Sequence, residues 1–153
     1  MEYKRFSPAI CEKLDYYVYI LCDPRNNEIF YVGKGINNRV FAHVEDASRE
    51  IIENARLDRI RAIHADGQKV DITIHRHGLT EKEAFEVEGA LIDLLGLPAL
   101  SNKVAGHHAR YRGQMTYEEI TAQYDAPIIP ITIPVIFIII NKQYKRRMAD
   151  DDL

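Results

Sequence analysis

Two runs of aromatic and β-branched residues near the start of the chain predict a β-hairpin. The first run covers Tyr16 to Cys22 and the second covers Ile29 to Gly33, and residues of these types favour extended strands. The segment between the runs contains Asp-Pro and Asn-Asn pairs. These pairs form turns because proline presets φ and asparagine tolerates positive φ. An antiparallel hairpin is therefore the simplest arrangement of this segment.

The predicted turn also sets which residues of the hairpin face each other. If the hairpin closes near Cys22 and Glu28, Tyr19 and Tyr31 lie directly opposite each other on one face of the sheet. Two tyrosines placed in this way usually form an ordinary packed aromatic pair. A chemical role for them depends on the residues that lie nearby.

After the hairpin, the apolar spacing lengthens to between three and four residues, which predicts helices. A helical pattern runs from Arg39 to about His64. Ser48 is placed to cap a second helix within this stretch, and Gly67 is placed to end it.

Alternation of apolar and polar positions returns at residues 69–77 and predicts a third strand with one buried face. Thr80 and Glu83 then form a capping box that opens a helix running from about Glu81 to Leu95. The order β-β-α-β-α predicts a small α/β sandwich.

The C-terminal part of the chain does not fit this sandwich. We predict a domain over residues 16–125, with an N-terminal extension over 1–15 and a C-terminal extension over 126–153. Val135 to Ile140 is apolar at every position, so it is expected to form a strand buried on both faces. This strand could join the core sheet, form a homodimer interface or begin a further domain. We favour the further domain, with a homodimer as the next choice.

The composition is that of one soluble domain of 153 residues. Cys11 and Cys22 lack the spacing of a metal site or a disulfide framework, which favours a reducing, cytoplasmic location. The longest apolar stretch, Ile128 to Ile140, contains prolines and is too short to cross a bilayer, so we expect no membrane partner. The net charge of −3 gives no global attraction for nucleic acid. Any nucleic-acid site must therefore be local.

Two basic residues lie close to the end of the predicted hairpin. Lys34 is flanked by Gly33 and Gly35, which are expected to turn the backbone out of the strand and to leave room for a bulky group such as a phosphate. The segment is not a P-loop, because the upstream glycine and the following Ser or Thr are missing. Arg39 and His43 lie four residues apart and would project from one helix face.

A carboxylate interrupts the apolar stripe of the helix that follows the third strand. The stripe surrounds Glu88 at helical spacing and consists of Ala84, Val87, Leu91, Ile92 and Leu95. An uncompensated buried carboxylate is unfavourable, so Glu88 needs a cation, hydrogen bonds or access to water. A metal ligand and a residue at the rim of the core fit this pattern equally well.

Together these features resemble the GIY-YIG nuclease family. The match in order and spacing rests on Tyr17 to Tyr19, Tyr31 to Gly33, Arg39, Glu88 and Asn102. The resemblance covers the chain from about Tyr16 to His108 and is strongest with the LEM-domain-associated animal nucleases and their small bacterial relatives. Tyr17 departs from the family pattern, which has a glycine there. The resemblance implies an α/β (α+β) fold with a small three-stranded antiparallel sheet flanked by helices.

The resemblance also implies roles for the site residues. Glu88 would bind one divalent cation per active site, Mg²⁺ or Mn²⁺. Arg39 would hold the scissile phosphate with its planar guanidinium. Asn102 would order the site through hydrogen bonds.

Two routes are open for the general base, because a tyrosine with an ordinary pKa near 10 needs help at neutral pH. Tyr31 could be helped by Lys34, or Tyr19 could be helped by His43. We favour the second route because histidine titrates near neutral pH and His43 shares a helix face with Arg39.

Nucleic acid, expected to be DNA, is the implied substrate. Besides Lys34 and Arg39, the loop after Asn102 supplies basic side chains that could follow a phosphate backbone: Lys103, His107, His108 and Arg110. The sequence thus predicts a metal-dependent endonuclease that hydrolyses phosphodiester bonds through a tyrosine-assisted water nucleophile. The alternative is a catalytically silent nucleic-acid-binding module on the same fold. The acidic net charge favours that alternative, whereas the joint presence of Tyr19, Arg39 and Glu88 argues against it.

Overall fold

The computed structural model describes residues 3–42, 54–102, 106, 112–125 and 136. The chain divides into two compact units, Met1–Met115 and Thr116–Leu153. The elements of the first unit, in chain order, are α1 (Pro8–Leu14), β1 (Tyr16–Asp23), β2 (Glu28–Ile36), α2 (Ala55–Ala65), β3 (Asp71–Leu79), α3 (Glu81–Leu95) and a 3-10 helix at Leu97–Ala99. Residues 39–42 are also helical. In the second unit, the described part contains α4 (Tyr117–Tyr124).

The strands form one antiparallel sheet with β1 at its centre, between β2 and β3. This sheet, flanked by helices, confirms the predicted α/β fold. β2 continues to Ile36, beyond the predicted end at Gly33, and β3 begins at Asp71, two residues after the predicted start at Lys69.

The hairpin register differs from the prediction. Tyr19 pairs with Gly33, and Tyr31 pairs with Leu21, so the directly opposed tyrosine pair is wrong. One cause is that the hairpin closes one residue farther along β1, at Asp23 and Glu28. The other is a bulge, because Leu21 pairs with Tyr31 while the next residue, Cys22, pairs with Ile29, which leaves Phe30 as the extra residue. The tyrosines are diagonal neighbours instead, with their ring centroids 6.1 Å apart.

Both faces of β1 are buried. On one face, Tyr17, Tyr19 and Leu21 pack in a cluster that includes the α2 residues Leu57, Ile60 and Ile63. On the other face, Val18 packs in a cluster with Val32 and with Ala84 and Ile92 of α3. Burial on both faces explains why this strand is apolar or aromatic at nearly every position.

Local capping signals define the two long helices. The capping box of α3 is present, with the Thr80 side chain accepting from the Glu83 backbone and the Glu83 carboxylate accepting from the Thr80 N–H at 2.8 Å. α2 begins after Asn54, whose side chain accepts from the Arg56 N–H. The predicted cap at Ser48 lies outside the described residues. Gly67, predicted to end this helix, has a φ of +74° just after the α2 C-cap.

A buried acid fastens the hairpin turn to α2. Asp23, at the end of β1, is 1% exposed and forms salt bridges with Arg25 at 2.8 Å and with Arg59 of α2 at 2.9 Å. Arg59 also contacts Glu28, and Arg25 also contacts Asp66. Hydrogen bonds from Arg25, and then from Arg59, hold the pKa of the Asp23 carboxyl well below its ordinary value although burial acts in the opposite direction.

The N-terminal segment packs on the core cluster that contains Tyr17. Phe6 lies edge-on to Phe41, with ring centroids 4.9 Å apart. Asn38 binds the Phe6 backbone twice, because its Oδ1 accepts from the Phe6 N–H at 2.8 Å and its Nδ2 donates to the Phe6 carbonyl at 3.2 Å. The segment predicted as an extension over 1–15 is therefore joined to the hairpin end that precedes Arg39.

The C-terminal predictions fall mostly outside the described residues. Thr116 and Glu119 form a capping box for α4, and this helix exposes Tyr117, Ile120 and Tyr124. The apolar strand at Val135 to Ile140, together with the homodimer and further-domain interpretations that rest on it, lies outside the described part except for the exposed Ile136. No helix among the described residues is long and apolar enough to span a bilayer.

Candidate active site

The two glycines of β2 leave room for tyrosine rings of β1. Gly33 pairs with Tyr19, and a Cβ added to Gly33 would lie 2.9 Å from the Tyr19 hydroxyl. Gly35 pairs with Tyr17, and its added Cβ would lie 2.7 Å from the Tyr17 ring. The prediction that these glycines turn the chain and leave a space beside the lysine is wrong. The strand continues through both positions, and the tyrosines fill the space.

Tyr17 holds the turn that presents Arg39. The Tyr17 hydroxyl donates to the Asn37 carbonyl at 2.9 Å and accepts from the Val40 N–H at 3.2 Å. Asn37 has a φ of +53°, which reverses the chain directly after β2. Arg39 is therefore exposed at the start of the helical residues 39–42 and lines a cleft next to the hairpin.

Glu88 is fastened to β2 by its carboxylate. The Lys34 backbone N–H donates to Glu88 Oε1 at 2.8 Å, which joins α3 to the strand opposite it. Glu88 is partly buried, with Ala84 and Ile92 buried one turn before and after it. It thus lies at the rim of the core, where its carboxylate faces the cleft and is oriented by the strand.

The Lys34 ammonium is paired with an acid that the sequence analysis did not select. Lys34 Nζ lies 2.6 Å from Glu81 Oε1 and 3.8 Å from the centre of the Phe85 ring. Glu81 precedes Glu88 by two helical turns, so both carboxylates lie on one side of α3. This seven-residue spacing is the sequence signal that would have indicated Glu81.

The cleft brings most of the predicted polar residues together. Its volume is about 530 Å³, and its lining consists of Tyr16, Tyr31, Lys34, Gly35, Ile36, Arg39, Arg56, Glu81 and Glu88. Tyr31, Lys34, Arg39 and Glu88 are the predicted members. Arg56 was missed, because it follows Tyr31 by 25 positions on another element and belongs to no motif.

Arg56 covers one side of the Tyr31 ring. It lies in the first turn of α2, and its guanidinium carbon is 4.6 Å from the ring centre, which is a cation–π contact. The tyrosine and the arginine therefore form one wall of the cleft.

Tyr19 does not line the cleft. Its side chain is fully buried, and burial raises the pKa of its hydroxyl strongly, although the charges of Arg56 and Arg39 act in the opposite direction. A buried phenol of raised pKa is a poor proton acceptor, and the choice of Tyr19 over Tyr31 as general base stays a prediction. Tyr31 is partly exposed and lies in the cleft wall.

Asn102 pairs with the edge of β2. Its Oδ1 accepts from the Val32 N–H at 3.1 Å, and its Nδ2 donates to the Val32 carbonyl at 2.8 Å. The neighbouring Ser101 N–H donates to the carbonyl of the bulge residue Phe30 at 2.6 Å. Asn102 thus orders the strand that carries Tyr31 and Lys34, and it is not part of the cleft lining.

The remaining predicted site residues lie outside the described part of the chain: His43, Lys103, His107, His108 and Arg110. Among the residues that are described, no three His, Cys, Asp or Glu side chains are grouped to hold a metal ion. The carboxylate of Glu88 fits a hard divalent cation such as Mg²⁺, which commonly takes one or two carboxylates and fills its other positions with water and phosphate oxygens. The cleft has the volume to hold them.

Comparisons with known proteins show which proteins this chain is similar to. The family model described as the LEM-3-like GIY-YIG domain matches residues 16–124 of this sequence. An ankyrin repeat and LEM domain-containing protein 1 homolog of Caenorhabditis elegans is 33% identical over 113 residues, covering 59% of this chain and 16% of the relative. The mouse ankyrin repeat and LEM domain-containing protein 1 is 36% identical over 89 residues, covering 52% of this chain and 16% of the relative. The chain thus spans about a sixth of these relatives. No solved structure matches it.

Proposed function

Since the chain belongs to the LEM-3-like GIY-YIG domain family, whose members are of nuclease type, we propose that it is a metal-dependent endonuclease that hydrolyses phosphodiester bonds in DNA. The observation that carries the proposal is the convergence of Tyr31, Arg39 and Glu88 in one cleft. These residues come from different elements and supply the proton acceptor, the cation and the carboxylate that phosphodiester hydrolysis needs.

Glu88 is the proposed metal-binding residue. Its Oε1 accepts from the Lys34 N–H, so the carboxylate is held in one orientation by the strand. One Mg²⁺ or Mn²⁺ per site would polarise the scissile phosphate and stabilise the leaving oxygen when bound. The Glu88 carboxylate, which lines the cleft, is where the protein would hold it.

Arg39 is proposed to bind the scissile phosphate. Its guanidinium is exposed in the cleft and forms no salt bridge with any residue that the structure describes. A planar guanidinium binds two phosphate oxygens at once, and its charge offsets the negative charge that develops there. Tyr17 fixes the turn from which Arg39 projects.

Tyr31 is proposed to accept the proton of the attacking water, directly or through a second water. It lies in the cleft with Glu88 and Arg39, whereas Tyr19 is buried in the core. Lys34, which lines the same cleft, would bind the substrate backbone once phosphate competes with Glu81 for its ammonium. Asn102 would act at a distance by holding β2 in place.

The wider setting of this activity is also a proposal. The two animal relatives carry ankyrin repeats and a LEM domain according to their names, and this chain matches about a sixth of each. We propose a cytoplasmic nuclease whose partner is DNA, with the basic residues Lys103, His107, His108 and Arg110 following the DNA backbone.

A nicking assay on supercoiled plasmid and branched DNA tests the function. Native protein is compared with Glu88→Gln in Mg²⁺, in Mn²⁺ and in EDTA. Glu86→Gln is the matched control, because Glu86 lies on the same helix, pairs with Arg112 and is not part of the cleft. We expect nicking by the native protein and by Glu86→Gln in either metal, none in EDTA, and none by Glu88→Gln.

Two other outcomes would contradict parts of this proposal. Normal nicking by Glu88→Gln would refute the metal assignment. DNA binding without nicking by the native protein would favour the catalytically silent binding module.

A further inference from the structure

The arginines of the first unit differ in whether a carboxylate neutralises them. Salt bridges of 2.6 to 3.0 Å join Arg25, Arg59, Arg61 and Arg112 to acidic side chains. Arg39 and Arg56 both line the cleft, and neither forms a salt bridge within the described ranges. Within the part of the chain that the structure describes, both arginines of the cleft thus lack a salt-bridge partner, as does Arg76 outside it.

The Arg56 side chain contacts Tyr31, and no acid from the described part of the chain binds it. Its guanidinium carbon lies over the Tyr31 ring, 4.6 Å from the ring centre. Its Nε atom is buried and has no hydrogen-bond partner among the residues that the structure describes. A buried N–H of a cation without an acceptor is unfavourable, and an anion bound to the guanidinium in the cleft would offset this cost through its charge.

The charge of the cleft favours such an anion. Among the described lining residues, Lys34, Arg39 and Arg56 contribute three positive charges, and Glu81 and Glu88 contribute two negative charges, which gives a net charge of +1. Both guanidiniums line this one cleft, so an anion in it would be near both charges. The volume of about 530 Å³ exceeds that of a single phosphate group several times over.

We infer that Arg56 binds a backbone phosphate of the nucleic acid next to the phosphate held by Arg39. This inference rests on the proposed function. Arg39 would hold the phosphate that is cut, and Arg56 would set the position of the strand along the cleft. Tyr31, stacked against Arg56, would be kept beside the reacting phosphate by the same contact.

The test measures binding in the absence of cleavage. A fluorescein-labelled DNA duplex is titrated with the Glu88→Gln chain in EDTA, by anisotropy, over a series of NaCl concentrations. Arg56→Gln is added to this background, and Arg61→Gln is the matched control, because Arg61 lies on the same helix and pairs with Asp58. The readout is the slope of the logarithm of the association constant against the logarithm of the salt concentration.

Loss of one phosphate contact lowers the magnitude of this slope by about one. We expect that decrease for Arg56→Gln and no change for Arg61→Gln. Equal slopes for Arg56→Gln and the background would overturn the inference while leaving the proposed nuclease intact. If the background protein bound no DNA at any salt concentration, the proposed function itself would be overturned, and the inference with it.

A second variant decides the question if Arg56→Gln does not fold. Arg56→Lys keeps the charge but loses the planar group that stacks on Tyr31 and binds two oxygens. We expect it to bind DNA more weakly than the background at every salt concentration, with an unchanged slope. Binding equal to the background would overturn the inference.

Discussion

The Tyr17 ring lies against Gly35, its partner across the hairpin, and its hydroxyl reaches the turn at Asn37 and Val40. The absence of a side chain on Gly35 gives the ring its space, since an added Cβ would lie 2.7 Å from it. Tyr17 thus holds the turn that carries Arg39, the residue proposed to bind phosphate.

Removing the Tyr17 hydroxyl is expected to lower both stability and activity. Tyr17→Phe leaves the buried Val40 N–H without its acceptor, which costs about 1–3 kcal/mol of unfolding free energy. Because the turn that carries Arg39 loosens, we expect the nicking rate at saturating DNA to fall roughly tenfold or more. Single-turnover nicking and urea unfolding measure the two effects.

Tyr3→Phe is the matched control for this prediction. Its hydroxyl donates to the Val70 carbonyl at 3.2 Å, at a position that holds no cleft residue. Tyr3→Phe should lose stability without losing activity at a temperature where it is folded. Equal losses of activity in both variants would argue against a positioning role for Tyr17.

A side chain at Gly35 is expected to destabilise the hairpin. Gly35→Ala places a methyl group against the Tyr17 ring, and such overpacking costs about 1–3 kcal/mol. In the Tyr17→Leu background the ring is absent, so the same substitution should cost less. Chemical unfolding of the native protein, both single variants and the double variant gives the coupling energy. Additive effects would show that the Tyr17 ring is not what excludes a side chain there.

The two tyrosines near the cleft are expected to differ in their effect on catalysis. Tyr31→Phe removes the proposed proton acceptor, and loss of general-base catalysis typically lowers the rate by about 10²–10⁴-fold. Tyr19→Phe alters a buried hydroxyl, so it should affect stability and leave nicking within about tenfold of the native rate. Nicking rates and DNA binding are measured for both variants. An inactive Tyr19→Phe beside an active Tyr31→Phe would restore Tyr19 as the base.

Asp23 is expected to make stability depend on pH in the acid range. Its pKa in the folded protein is lowered, mainly by hydrogen bonds from Arg25. A carboxyl group whose pKa is lowered by folding stabilises the fold at pH values above its pKa in the unfolded chain, which is about 4. This contribution is lost as the pH falls through its pKa in the folded protein. The unfolding free energy should therefore decrease progressively below about pH 5.

Replacing Asp23 tests this dependence. Asp23→Asn should lower the unfolding free energy at pH 7 by about 1.5–3 kcal/mol, and it should flatten the decrease between pH 5 and pH 3. Asp66→Asn is the control, because Asp66 also forms a salt bridge with Arg25 but is exposed to solvent. Urea unfolding at several pH values measures both. A pH dependence in Asp23→Asn as steep as that of the native protein would contradict the prediction.

Features that depend on neighbours in the chain were determined by the sequence alone. The Thr80 and Glu83 capping box predicted the start of α3, because the bonds that make a cap span three residues. The apolar stripe around Glu88 predicted that this carboxylate lies at the core, because helical periodicity fixes which residues share a face. The motif positions likewise indicated Tyr31, Arg39 and Glu88 as residues of one site.

Features that depend on contacts between distant segments were decided only by the tertiary structure. The observed hairpin register differs from the predicted one because the closing pair and the bulge at Phe30 are set by packing on both faces of the sheet. Lys34 meets Glu81 across 47 positions of sequence, and Asn102 meets Val32 across 70.

The composition of the cleft also depends on contacts between distant segments. Arg56 reaches Tyr31 only because α2 packs on the face of the sheet that carries the buried tyrosines. Tyr19 and Tyr31 likewise differ in burial, since Tyr19 is fully buried in the core whereas Tyr31 lines the cleft. The motif determined which residues were available for chemistry, and the packing of α2 and α3 on opposite faces of the sheet decided which of them meet. Side-chain burial and cross-chain pairing are properties of the whole fold and have no local signal.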